Sequence, residues 1–384
     1  MSQATLDLSQ PLPVPAPFSQ SGAGTSCDRT GFQIGWDHAH HGLAPPAELL
    51  LDGTSVCQGW MAGRAVFGRR TLASNRSVRL WLVLRTLSWR SGIAFDDQQV
   101  TPNYLAQIHV ERCPVLRQPL GGAAGAPLSA VVERLNPQAG YSAGNLVTMS
   151  LQAALARQGL TALDAVRRAR AAEATGETVD DLEAAAWWRL AALAAFAQPL
   201  PFFDAARLPL AVLPPNRVRV LNAVQGLQAL VTQLFTRPGW AGRARTLGAM
   251  LPEHTLRHDF NLFVGAMAPR VLEAGPDSAD LRQALEDAWL NERVQRRWQH
   301  LVLSLGEAAT ADLLERAAAA GLAGVRTMTH APAQVTKGKG LPDGGRVHAR
   351  RAQADQVQGQ RSAGTFTAPR PPRNRSATTG ARLS

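Results

Sequence analysis

The segment Cys113-Pro-Val-Leu-Arg-Gln-Pro-Leu120, a Gly/Ala-rich loop, Val131-Val-Glu-Arg-Leu-Asn-Pro137, Gly140-Tyr-Ser-Ala-Gly-Asn-Leu-Val147 and Met149-Ser150 carries the only motif-like spacing in the chain. Residues 130–135 read as a strand. Asn136-Pro-Gln-Ala-Gly140 supplies turn chemistry, and 145–149 reads as a second strand. Apolar residues at helical spacing follow from Leu151. The order is therefore β, β, α.

That order, with Cys113, Pro114, Asn136, Gly140, Tyr141, Gly144 and Asn145 in place, resembles the HNH nuclease family. The resemblance covers residues 113–159, roughly an eighth of the chain. It implies a ββα-metal fold with one catalytic divalent metal and, in many members, a zinc held by two Cys-x-x-Cys pairs. Those pairs fall on Cys113 and Leu116, and on Ser150 and Ala153. A single thiol cannot hold a tetrahedral zinc, so no structural zinc is expected. The family's acidic metal ligand falls on Glu133 and its general base on Arg134, which stays protonated and cannot activate water. Its central Asn is Asn145, its final ligand is Ala154, and its terminal basic residue is Arg157.

Three functions fit that pattern. The first is a nucleic-acid-binding protein, with DNA the expected partner, on a catalytically degenerate module without a cofactor. The second is a metal-dependent endonuclease with a rearranged site: Glu133 and Asn145 on a divalent metal, and His109 as a substitute base. The third is a structural or protein-interaction role for the helical half, with the positive charge incidental.

The chain of 384 residues carries a formal charge of +11, which points to a polyanionic partner. From Lys337 onward there are ten Lys or Arg against two Asp, so only three of the eleven charges fall on residues 1–336. From Gly53 to Phe95 there is no acidic residue, while Arg64, Arg69, Arg76, Arg79 and Arg90 are interleaved with Trp60, Phe67, Trp81 and Trp89. On one continuous helix Arg69, Arg76, Arg79 and Arg90 share a face within about 80°. With Arg134 and Arg157 they are the candidate nucleic-acid contacts. The competing reading is that the Arg stems cover apolar surface while the heads stay solvated. Ala73-Ser74-Asn75 is a candidate break in that helix.

The fold expected is mainly α (α+β): a multi-helix assembly with the small module embedded in it. Residues 1–30 read as a disordered leader, 31–160 as a helical segment plus the module, 161–335 as an α-helical domain, and 336–384 as a disordered basic tail. Thr101-Pro102 starts a short helix ending near His109. Helices are expected over 161–174, 179–198, 218–236, 242–250, 254–274, 278–305 and 308–320. Gly35-Trp-Asp-His-Ala-His-His-Gly42 reads either as a polar turn or helix start, or as a metal cluster. The three cysteines lack disulfide or metal spacing, and the longest apolar run, 184–197, is too short to span a bilayer. A cytoplasmic location without a membrane partner is the expectation.

Overall fold

The computed structural model describes residues 24–121, 125–273, 278–322 and 325–328. The N-terminal helices are α1 (Gly24–His40), α2 (Ser55–Phe67), α3 (Arg76–Arg90) and α4 (Pro102–Gln107). Then come β1 (Ala130–Arg134), β2 (Leu146–Ser150) and α5 (Leu151–Arg157). The remaining helices are α6 (Ala162–Thr175), α7 (Ala184–Ala197), α8 (Phe202–Arg207), α9 (Ala223–Phe235), α10 (Trp240–Ala249), α11 (His254–Glu273), α12 (Ser278–Ala288), α13 (Glu292–Leu305) and α14 (Glu307–Ala319). The fold is mainly helical with one small antiparallel sheet.

Local chemistry explains most boundaries. Thr101 caps α4 by accepting the Tyr104 N–H, with Pro102 at the first helical position. Thr161 and Asp164 form a reciprocal capping box on α6. The stretch 278–305, expected as one helix, is two: Asn291 accepts from the Arg293 and Val294 N–H groups and starts α13 afresh. The proline-rich strap after α7 contains the short α8. Helix α7 is apolar on every side but that of Arg189 and is buried in the core, with Trp187, Leu190 and Phe196 fully enclosed. No described helix is long and apolar enough to cross a membrane.

The two strands pair with Val132 opposite Thr148 and Glu133 opposite Val147. Successive side chains alternate between faces. Val132 and Leu146 join Leu84, Val100, Leu105 and Ile108 in a small core beside α3 and α4. Val131, Val147 and Met149 join the large core shared with α5, α7 and α9. The sheet is thus a partition between two apolar cores, which a solvated hairpin pattern would not produce.

Two expectations about the N-terminal part change. Residues 24–30, read as leader, belong to α1, and residues 1–23 lie outside those described, as does the tail 336–384. Helices α1 and α2 run in the same direction, since Gly31 faces Ser55, Ala39 faces Gly63 and His40 stacks on Phe67. Their backbones nearly touch. A Cβ on Gly35 would lie 1.9 Å from the Val56 carbonyl oxygen, and one on Gly59 would lie 1.9 Å from that of Phe32. The arginine-rich segment is not one helix either. Gly68, at φ +55°, ends α2, and Asn75 caps α3, so Arg69 leaves the helical face.

Gly35→Ala therefore forces apart two backbones that have no side chain to yield. It is expected to cost about 2 to 3 kcal/mol, as core overpacking does. Thermal unfolding followed by circular dichroism should show a lower midpoint. Gly265→Ala, also inside a helix and with nothing within 4 Å of its Cβ position, supplies the control.

Candidate functional site

The turn joining β1 to β2 is the most highly determined part of the module. Asn145 is fully buried: its Oδ1 accepts the Asn136 N–H at 2.7 Å, and its Nδ2 donates to the carbonyls of Asn136 and Gly140. Asn136 in turn accepts the Gln138 N–H and donates to the Ala197 carbonyl at the end of α7. Gln198 continues the seam by donating to Leu135 and accepting the Ala162 N–H. Gly140 lies so close to the Ala94 carbonyl that a Cβ would sit 2.5 Å from it. Tyr141 pairs with the segment at Phe95, exchanging backbone bonds with Ala94 and Asp96. The turn therefore ties the α3–α4 side to the α7 side.

The arginines expected to contact phosphate inside the module are internal. Arg134 is buried, donates to the Pro137 and Ala139 carbonyls, and stacks on Tyr141 at 5.2 Å. Arg157 is 1% exposed, donates to the Arg134 and Leu135 carbonyls, and lies 3.6 Å from Glu133. Their donors hold the turn and are turned away from any ligand.

Glu133 and His109 are not brought together. Glu133 projects to the α5 side of the sheet, toward Arg157. His109 follows Ile108, whose carbonyl accepts from Thr148 on the opposite face. The neighbours that act on His109 are Arg76 and Glu111. Partial burial, reinforced by Arg76, lowers its pKa below the ordinary histidine value. With Asn145 Oδ1 already accepting a backbone N–H, these residues do not fit a catalytic divalent metal.

The four positions implied for zinc do converge. The Cys113 thiol lies 3.3 Å from the Ser150 hydroxyl, and its sulfur accepts N–H groups from Leu116 and Ser150. Ser150 accepts from the Ala153 N–H and so caps α5. One thiol, one hydroxyl and two hydrocarbon side chains do not fit zinc. The backbone amides of Leu116 and Ala153 point at Cys113 and Ser150. Among the described residues, no three His, Cys, Asp or Glu side chains gather to hold a metal. In the histidine-rich end of α1, His38 Nδ1 bonds the Ile34 carbonyl instead, and burial lowers its pKa.

Outside the module the arginines sort by partner. Arg90 pairs with Glu48, and Arg79 donates to the Ser74 carbonyl. Arg64 lies over the Trp60 ring at 4.8 Å with its charge exposed. Arg69, Arg70 and Arg76 are exposed, and no described acidic side chain pairs with them. Nothing in the residue pattern singles out Arg217 and Arg219, which sit between α8 and α9. Arg219 lays its stem over Gly144, and both arginines act on the Tyr104 hydroxyl, which accepts the Gly144 N–H. Burial raises the Tyr104 pKa and the arginines oppose it.

Compared with known families, curated proteins and solved structures, the chain matches none.

Asn145→Ala would orphan a buried N–H and two buried carbonyls. The expected loss is about 3 kcal/mol. Denaturant unfolding measures it, and an unchanged midpoint would show that the turn does not depend on this amide.

Proposed function

We propose that this is a nucleic-acid-binding protein whose HNH-like module serves as a scaffold and whose phosphate contacts come from the exposed arginines of α2, the α2–α3 turn and the start of α3. The observation that carries the reading is the sorting of guanidinium groups. Arg134 and Arg157 of the module are consumed by its own carbonyls and Arg117 pairs with Glu286 and Asp287, whereas Arg64, Arg69, Arg70 and Arg76 face solvent in a segment with no acidic residue from Gly53 to Phe95. A field of one sign at a surface attracts a polyanion and releases its counterions. The facing amides around Cys113 and Ser150 support the family resemblance of the scaffold.

Fluorescence anisotropy with duplex DNA across a salt series tests the contacts. Each phosphate contact contributes about 0.9 to the slope of log affinity against log salt. Replacing Arg64, Arg69, Arg70 and Arg76 by Gln should flatten the slope by roughly 3 to 4 units if each meets one phosphate. Deleting residues 336–384 should weaken binding without abolishing it. Complete loss on that deletion would leave the folded part without a role in binding.

The scaffold reading has its own test. Thiolates on a tetrahedral zinc lie about 2.3 Å from the metal and hence roughly 3.8 Å apart, close to the Cys113–Ser150 separation of 3.3 Å. The triple variant Leu116→Cys, Ser150→Cys, Ala153→Cys should bind one cobalt ion with thiolate charge-transfer absorption, while the parent chain should not. A folded triple variant that takes up no cobalt would rule out the scaffold reading.

A further inference from the structure

A cleft of about 630 Å³ opens between α1 and α3, with Asp97 of the following loop on its edge. One wall is aromatic. Phe32 and Trp36, one helical turn apart on α1, lie near-parallel with ring centroids 6.2 Å apart and planes inclined by 25°. The floor is an ion-pair cluster: buried Arg85 holds Asp37 and Asp97, with Asp97 Oδ1 2.8 Å from Arg85 Nε. Gln33 directs its Oε1 toward Arg85 at 3.3 Å, which leaves its amide N–H groups free to donate. Arg29 lines the cleft from the preceding turn of α1 and is exposed.

A buried cation that binds two carboxylates neutralises one of them. The pair is left with acceptor lone pairs and a residual negative charge facing the cleft. Burial raises the Asp37 pKa, with Arg85 opposing, so a donor delivered to this floor would stabilise the ionised form. Phe32 remains 37% exposed beside Trp36. An uncovered aromatic next to an acceptor floor and a free guanidinium suits a planar ligand with N–H groups on one edge and an anion on its tail.

We propose that this cleft takes an unpaired nucleobase of a single-stranded nucleic acid. The base stacks on Phe32 and Trp36, its exocyclic amine donates to Asp97 and Asp37, and its phosphate meets Arg29. The inference rests on the nucleic-acid reading above and assigns it a strand state and a base preference. Cytosine offers the carboxylates an amine, whereas thymine presents a carbonyl there, so cytosine strands should bind more tightly. Base–aromatic stacking contributes about 1 to 3 kcal/mol per base, or roughly a 5- to 150-fold change in affinity.

The test uses the full chain, fluorescein-labelled dC12 and dT12, and a duplex of equal length at one low salt concentration. The parent should bind dC12 more tightly than dT12. Phe32→Ser, which alters an exposed ring, should weaken dC12 binding about tenfold and leave the duplex unchanged. Asp97→Asn should erase the preference for dC12 over dT12, a change that general loosening of the fold would not produce. Equal binding of the two strands by the parent, or unaltered dC12 binding by Phe32→Ser, would overturn the cleft assignment while duplex binding kept the broader reading. Failure of the parent to bind any of the three would overturn both.

Discussion

An isolated two-stranded sheet is marginal in water, and this chain keeps one by burying both faces and its end. The guanidinium of Arg157 makes the closure possible. It projects from α5 to the carbonyls of Arg134 and Leu135, where β1 ends and a partner strand no longer answers them. A buried cation is costly alone, and Glu133 supplies the countercharge from the same strand. With that end closed, the Asn136–Asn145 seam follows, and through Ala197 and Gln198 the seam fixes where α7 and α6 pack. The module is accordingly a brace within a larger core.

The elements that the sequence revealed are those with local causes. Thr101-Pro102, Thr161 with Asp164, and the short strand at 130–134 with the turn residues that follow it each carry their structural reason within a few residues. The elements it concealed depend on distant partners. Nothing near Arg134 or Arg157 distinguishes a guanidinium that will hold carbonyls from one that will hold phosphate, because the residue type serves both. The break at Asn291 was hidden inside a periodic apolar pattern that continues across it.

The N-terminal helix was obscured in another way. Residues 24–30 are small and polar, which suits a leader by composition, but Gly31, Gly35, Gly59 and Gly63 are valuable through what they lack. Four glycines spread over two helices become legible only when the helices are laid side by side. The cleft between α1 and α3 was equally unreadable. Phe32, Asp37, Arg85 and Asp97 are separated by up to 65 positions and meet only through the parallel docking of α1.

The partition formed by β1 and β2 has a consequence for how this chain can vary. Each strand residue is committed to one of two dissimilar compartments, Val132 to the small apolar core and Glu133 to the guanidinium of Arg157. Exchanging one aliphatic side chain for another disturbs a single compartment. Inserting or deleting one residue between 130 and 134 exchanges the compartments, sending a carboxylate among Leu84, Leu105 and Ile108 and stranding Arg157 without a countercharge. Over this short span the chain can drift in side-chain size but hardly at all in length, so descendants of this sequence should keep the spacing from Ala130 to Asn145 longer than they keep its letters.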